Sequence, residues 1–351
     1  MKKIVLCGGG SGGHVLPALA LVPPLKKHFD EIIFIGGKRG MEREIISRHS
    51  IKFLGVENAK LLRKISTLNA LIPYKLLKGI MEAKKHLKEI RPQVVFSKGG
   101  YAALPVSIAA ALLKIPLICH ESDMSPGLAN RICAPLCKAV CASFAECAQK
   151  FKNGVFTGPP VRESLFKGNK ENVLKYFKAK KPVLLIIGGS GGAAFLNKLA
   201  ANCIDELLKE HNVIHIAGKG NLTAAAKEGY LQIEFSHNVE DILAAADYVV
   251  SRGGSNALFE LMLLKKPSLI IPLPKGASRG DQLLNAAYFE KKGYAISAAQ
   301  KDLTPEIFLE KISLLKKESP RITQNIQNAG ISCGNGNIVD VILKHAKQSS
   351  K

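Results

Sequence analysis

The sequence predicts an α/β protein built as two doubly wound, Rossmann-like domains that face an interdomain cleft. Three observations predict it. Short apolar runs of strand length alternate with stretches of helical spacing, the pattern of a parallel sheet covered on both faces. Glycine-rich turns follow such runs, and two of them, Gly8-Gly9-Gly10-Ser11-Gly12-Gly13 and Gly188-Gly189-Ser190-Gly191-Gly192, lie about half a chain apart. A length of 351 residues, of which 47% are hydrophobic, suffices for two ordinary cores.

In order, Lys3-Ile4-Val5-Leu6-Cys7 reads as a buried first strand, and Val15–Leu21 opens a helix beyond the glycine turn. Glu31–Ile35 is the next strand, stopped by Gly36-Gly37 and followed by a helix from about Met41 to Arg48 and a short strand at Lys52-Phe53-Leu54. From Ala59 to Ile90, Leu68, Leu71, Ile72, Leu76, Leu77, Ile80 and Met81 fall at helical spacing among Lys60, Arg63, Lys64, Lys75, Lys78, Lys84 and Lys85. Such a helix either packs its apolar face on the sheet or lays it on an anionic membrane surface, and both readings stand. Gln93–Ser97 is a strand before a third turn, Lys98-Gly99-Gly100-Tyr101. The apolar zone from Tyr101 to Cys119 is broken by Pro105, Lys114 and Pro116, so it reads as a helix and a strand instead of a membrane span. Val155-Phe156-Thr157 leads into Gly158-Pro159-Pro160-Val161-Arg162, whose prolines suit a stiff junction; the first domain is therefore 1–162 and the second 163–334.

The second half restarts the pattern. Val183–Ile187 precedes the second glycine turn and a helix, then come a strand at Asn212–Ala217, the run Ile233-Glu234-Phe235 and a helix through Ala246. A strand at Asp247–Ser251 feeds the turn Arg252-Gly253-Gly254-Ser255-Asn256 and a helix carrying Glu260. Ser268–Pro272 is a buried strand, Asp281–Lys292 a helix, and Asn337–Lys347 a last one. Cys133, Cys137 and Cys141 recur every four residues, which predicts one face of a helix and small buried thiols.

The formal charge of +22 favours an anionic partner (nucleic acid, a phospholipid surface or a phosphorylated substrate), although a solvated lysine-rich surface accounts for it as well. Aromatic residues are 6% with no Trp, which argues against base-stacking platforms and hence against nucleic acid. Met1-Lys2-Lys3 is followed by no signal-peptide apolar region, so the expectation is cytoplasmic. Gly8, Gly10 and Gly13 fit the dinucleotide fingerprint, but the second strand ends in Gly36-Gly37-Lys38-Arg39 with no carboxylate for a ribose. Lys38 and Arg39 suit a 2′-phosphate, so an NAD or FAD enzyme is demoted and not removed. Without a D-x-D pair or a metal-spaced cluster, no metal and no cofactor are expected; helix N-termini, Ser190 and arginines would neutralise a diphosphate. His14, directly after the first turn, is either a packing residue or a general base suited to neutral pH, and His120 and Glu121 carry the same two readings.

Taken together, Gly9-Gly10-Ser11-Gly12-Gly13-His14, Lys98–Tyr101 with Pro105, His120-Glu121, Pro160-Val161-Arg162, Gly188-Gly189-Ser190, Arg252 through Glu260, and Asp281-Gln282 with Asn285-Ala286 resemble, in order and spacing, the MurG family of peptidoglycan glycosyltransferases. The resemblance covers nearly the whole chain. It implies a glycosyltransferase-B fold, a last helix (335–351) returning to the first domain, and a peripheral enzyme on the cytoplasmic face of the inner membrane. The implied reaction is inverting transfer of N-acetylglucosamine from UDP-N-acetylglucosamine to the 4-hydroxyl of undecaprenyl-diphosphate-linked N-acetylmuramyl-pentapeptide, lipid I. By that resemblance Ser11, Gly12 and Gly13 border sugar and diphosphate, Arg162 and Ser190 serve the nucleotide phosphates, and Ser255, Asn256 and Glu260 hold the nucleoside. Gln282 contacts the transferred sugar, and His14 is the base candidate. Asp123 stands where the family commonly has Asn, replacing an amide that donates by a carboxylate that, ionised, only accepts. Other sugar-nucleotide enzymes of similar fold, a lipid glycosyltransferase or a UDP-N-acetylglucosamine epimerase, remain alternatives, and a basic nucleic-acid-binding protein is the reading from another class.

Overall fold

Ile4, Val5, Leu6 and Cys7 are all fully buried, and side chains alternate along a strand, so this first run must feed two cores at once. It does. In the computed structural model, which describes residues 1–10, 12–58, 71–189, 191–222, 227–276 and 279–347, Ile4 and Leu6 join one apolar cluster and Val5 and Cys7 another, on opposite faces of a parallel sheet. The chain forms two compact units, Met1–Arg162 with Cys333–Lys351, and Glu163–Ser332.

The first unit runs β1 (Lys3–Cys7), α1 (Gly12–Leu19), α2 (Val22–Leu25), β2 (Glu31–Gly37), α3 (Met41–Ser47), β3 (Lys52–Val56), α4 (Ile72–Ile90), β4 (Val94–Ser97), α5 (Leu104–Leu112), β5 (Leu117–Glu121), α6 (Leu128–Cys133), β6 (Ala139–Ala142), α7 (Ala145–Ala148) and β7 (Gly154–Phe156). Its strands are ordered β3-β2-β1-β4-β5-β6-β7, all described pairs parallel. The second unit runs α8 (Glu171–Leu174), β8 (Val183–Ile187), α9 (Ala194–Glu210), β9 (Asn212–Ile216), β10 (Tyr230–Ile233), α10 (Val239–Ala245), β11 (Tyr248–Ser251), α11 (Ser255–Leu263), β12 (Ser268–Ile270), α12 (Asp281–Lys291), β13 (Ile296–Ser297) and α13 (Pro305–Asn328). Its order, β10-β9-β8-β11-β12-β13, repeats the first unit's. In each sheet the winding reverses beside the first strand, between β1 and β4 and between β8 and β11. Open α/β sheets bind ligands at the carboxyl ends of strands at such a reversal, and all the glycine turns singled out above lie there.

The closing helix α14 (Asn335–His345) belongs to the first unit: Ile338, Val339 and Ile342 join Ile4, Leu6 and Phe96 in one buried cluster. Asn335 fastens its start, accepting from the Val161 N–H at 3.1 Å and donating to the Val161 carbonyl at 2.8 Å.

One expectation needs correction. Cys133, Cys137 and Cys141 do not share a helix face: Cys133 ends α6, Cys137 follows the 3₁₀ turn Ala134–Leu136, and Cys141 lies in β6. Pro135 cannot donate to a continuing helical ladder, and residues 139–142 gain pairing on both sides, with β5 and β7. Cys133 and Cys141 are buried in the core, while Cys137 is only partly buried; burial pushes Cys7 and Cys141 up to about 12. Of the basic amphipathic stretch from Ala59, residues 59–70 lie outside the described residues, and the helix is Ile72–Ile90. Its inner face packs Gly79, Ala83, Leu87 and Ile90, while Tyr74, Leu77 and Met81 stay exposed on another face.

Candidate active site

Each unit carries a set of glycine turns at its winding reversal. In the first, the turn after β1 and the turn after β4 nest together. Gly100 has φ +84°, and a Cβ there would run into the Gly9 carbonyl oxygen, so only glycine permits this approach. The Tyr101 ring covers Gly10. Ser11 lies outside the described residues; Gly12 and Gly13 open α1, whose N-terminal N–H groups face an approaching anion.

His14, half-buried in the first turn of α1, has Nδ1 3.2 Å from the Lys98 carbonyl oxygen. A carbonyl only accepts, so the Nδ1 proton is fixed there and the neutral ring carries its lone pair on Nε2.

Beneath these turns lies a buried polar floor. Lys98 is 1% exposed and donates from Nζ to Ser122 Oγ; burial lowers its ammonium to about 8 against the opposing pull of Glu121 and Asp123. The Glu121 carboxylate accepts from the N–H of Asp123 at 3.1 Å, from the N–H of Gly127 at 2.7 Å and from Asn130 Nδ2 at 2.9 Å. Burial and the neighbouring Asp123 raise its pKa, offset in part by these donors. Glu121 thus gathers the 122–127 loop around itself and presents Asp123. His120 is fully buried, and burial together with Lys98 holds its pKa well below the usual value, so it stays neutral. The two readings that the sequence left open for His14, His120 and Glu121 therefore separate: His14 borders the turns, while the other two support them from within.

In the second unit, a cavity of about 560 Å³ opens at the reversal between β8 and β11. Gly188, Gly189 and Gly192 form one wall, Arg252 and Gly254 another, and Glu260, Gln282, Phe195 and Gln300 complete the polar and aromatic lining. The N-termini of α9 and α11 begin at these two glycine turns. Arg252 is buried; its Nη1 donates to the Ile271 carbonyl at 3.0 Å and to Gln300 Oε1 at 2.9 Å, and its guanidinium stands 6.0 Å from the Phe195 ring centroid. Gln282 Oε1 accepts from the N–H groups of Gly253 at 3.2 Å and Leu273 at 3.0 Å, which fixes the amide at the cavity wall. Behind α9, His215 Nε2 meets Asn197 Oδ1 at 3.0 Å and its Nδ1 meets the Tyr230 hydroxyl at 2.9 Å; burial lowers this histidine to about 4.

Of the expected donor residues, Glu260 and Gln282 line the cavity. Ser255 and Asn256 open α11 without appearing in that lining, Arg162 closes the chain segment of the first unit, and Ser190 lies outside the described residues. Phe195 and Gln300 were not legible beforehand: neither lies in a glycine turn, and Gln300 reaches the cavity from a 3₁₀ turn, Gln300–Asp302, far along the chain. Among the described residues no group of three or more His, Cys, Asp or Glu is arranged to hold a metal ion.

Residues 4–142 match the glycosyltransferase family 28 N-terminal domain and residues 183–342 its C-terminal domain. Over 351 aligned residues, 98% of each chain, the sequence is 46% identical to the UDP-N-acetylglucosamine–N-acetylmuramyl-(pentapeptide) pyrophosphoryl-undecaprenol N-acetylglucosamine transferase of Clostridium tetani, and equally close to that of Clostridium perfringens. Among solved structures it resembles the MurG of Acinetobacter baumannii (TM-score 0.76, 25% identity, 98% of this chain and 100% of that one). The UDP-GlcNAc 2-epimerase of Neisseria meningitidis, at TM-score 0.68 and 14% identity over 98% of this chain and 100% of that one, shares the fold alone. With both domains matched and near-half identity along the full length, the chain belongs to glycosyltransferase family 28 and, within it, to the MurG family.

Proposed function

We propose that this enzyme transfers N-acetylglucosamine from UDP-N-acetylglucosamine to the 4-hydroxyl of undecaprenyl-diphosphate-linked N-acetylmuramyl-pentapeptide, converting lipid I to lipid II in peptidoglycan synthesis. The observation that carries the reading is the pair of glycine-turn half-sites, one beside His14 and one opening onto a cavity with Glu260 and Gln282, in a chain of this family.

The nucleotide belongs to the second unit. Glu260 accepts from the ribose hydroxyls, Ser255 and Asn256 border the nucleoside, and Gln282 donates to the sugar. Ser190, Arg162 and the N-terminus of α9 meet the diphosphate. The acceptor diphosphate belongs to the glycine turns of the first unit, with Ser11, Gly12, Gly13 and Asp123 toward the reacting sugar. In the reaction the acceptor oxygen attacks the anomeric carbon on the side opposite UDP, His14 Nε2 takes the hydroxyl proton, and the carbon–oxygen bond to UDP breaks with inversion. Fixed N–H dipoles and arginine stabilise the charge that grows on the leaving diphosphate. No cofactor and no metal enters this scheme.

Membrane association is peripheral and rests on α4. Tyr74, Leu77 and Met81 are 64%, 57% and 58% exposed beside Lys75, Lys78, Lys84 and Lys85, a composition suited to the anionic cytoplasmic leaflet of the inner membrane. Among the described residues no helix is long and apolar enough to cross a membrane. The decisive assay supplies labelled UDP-N-acetylglucosamine with and without lipid I. Label in the lipid fraction only when lipid I is present supports the transferase; epimerised sugar or free UDP without any lipid would sink it.

A further inference from the structure

Glu42, the second residue of α3, is fully buried. Its Oε1 accepts from the Gly37 N–H at 2.8 Å and its Oε2 from the Gly10 N–H at 3.4 Å. Among the described residues no lysine or arginine forms an ion pair with it. A carboxylate so placed is costly to bury unless backbone donors hold it, and here the backbone is shaped to do so: a Cβ on Gly9, Gly37 or Gly40 would run into the Glu42 carboxyl group, and one on Gly36 into its Cγ. Four glycines from two different turns therefore wrap one side chain.

The peptide unit between Gly9 and Gly10 is the point of action. Its N–H is turned toward Glu42, while its carbonyl oxygen lies against Gly100 of the second turn. A Gly–Gly peptide flips at little steric cost, and a flip here would aim the carbonyl oxygen at the carboxylate and open the packing against Gly100. The Tyr101 ring covers the same Gly10, and the Glu42 carboxylate adds to burial in raising the Tyr101 phenol's pKa.

We infer that Glu42 is a positioning residue for the acceptor: its carboxylate locks the Gly9–Gly10 peptide and thereby preorganises the nested turns that receive the acceptor diphosphate. This rests on the reading of the first unit as the acceptor side. Preorganisation shows in binding, so loss of the lock raises the KM of the ligand held by those turns more than it lowers kcat.

Glu42→Gln keeps the side chain's shape and one acceptor oxygen but sets an amide N–H against either Gly37 or Gly10. With a short-chain analogue of the lipid acceptor, its KM is expected to rise about tenfold, with the UDP-N-acetylglucosamine KM within about twofold of the parent and faster amide exchange at Gly10. A raised donor KM with an unchanged acceptor KM would support the lock but overturn the acceptor assignment of the first unit. Unchanged or lowered KM for both substrates, a fall confined to kcat, or failure of the Gln variant to fold would each overturn the proposal, the last by making Glu42 a stability residue only.

Discussion

The two units share a strand order and a pair of glycine turns, yet the floors beneath those turns differ in kind. Under the turns of the first unit lie ionisable groups taken out of water: Lys98, Glu121, Glu42 and the neutral His120. Under α9 of the second lies a neutral relay, Tyr230 to His215 to Asn197 to the Ala217 carbonyl, the last step at 2.9 Å, with one guanidinium, Arg252, at the cavity wall. A shared winding thus places the glycine turns alike in both units and leaves the chemistry to side chains. The first unit's floor keeps charged groups under its turns, Lys98 among them; the second unit's floor is neutral, its histidine held well below neutral pH by burial.

The sharpest way to break this contrast is at His14. His14→Ala should lower turnover by roughly 10²–10⁴-fold while UDP binding by calorimetry stays at the parent value; a variant with near-normal turnover would remove the proton transfer from the first unit. Next in size, Glu260→Ala should weaken donor binding by roughly 10–100-fold, as expected for lost hydrogen bonds to a charged group, with the acceptor KM unchanged. An equal rise in both KM values would blur the division. The neutrality of the second floor predicts a pH effect on stability. His215 titrates near 4 when folded and near 6.5 when unfolded, so between these values the unfolded chain binds the extra proton. The second unit should lose stability as pH falls through that window, by up to about 1.4 kcal/mol per pH unit. His215→Gln should flatten that slope in melts taken across it, and an unaltered slope would place the titration elsewhere. Smallest is the surface effect: replacing Lys78 by Gln should weaken recovery on anionic vesicles about fivefold, near 1 kcal/mol, without changing recovery on neutral ones. Equal recovery of the parent on both vesicle types would remove the membrane role of α4.

Much of this was legible in the sequence, for physical reasons that also mark where legibility stops. Strands such as Val183–Ile187 are buried on both faces and so appear as continuous apolar runs, and turn glycines such as Gly100 and Gly192 declare themselves because their positive φ and close backbone neighbours admit no other residue. β6 was hidden because its cysteine continued an every-fourth-residue pattern whose helical meaning was overridden by pairing with β5 and β7. The two-residue β13 and the long α13 left little or no signal that was read. At the site, His14, Glu260 and Gln282 sit in or beside recognisable turns. Glu42 did not, because a carboxylate held by backbone N–H groups has no charged partner to search for, and its cradle is assembled from glycines of two turns.

The return of α14 to the first unit bears on how the protein is made. Ribosomes deliver residues 163–332 in full before Ile338, Val339 and Ile342 exist, so the second unit can fold while the first still lacks part of its core. The apolar side chains of Ile4, Leu6 and Phe96 then wait for the last stretch of chain to be released. A message truncated near its end would yield a finished second unit attached to an unfinished first one. The first unit's core is thus coupled to completion of synthesis, and a nascent chain still on the ribosome holds it unfinished.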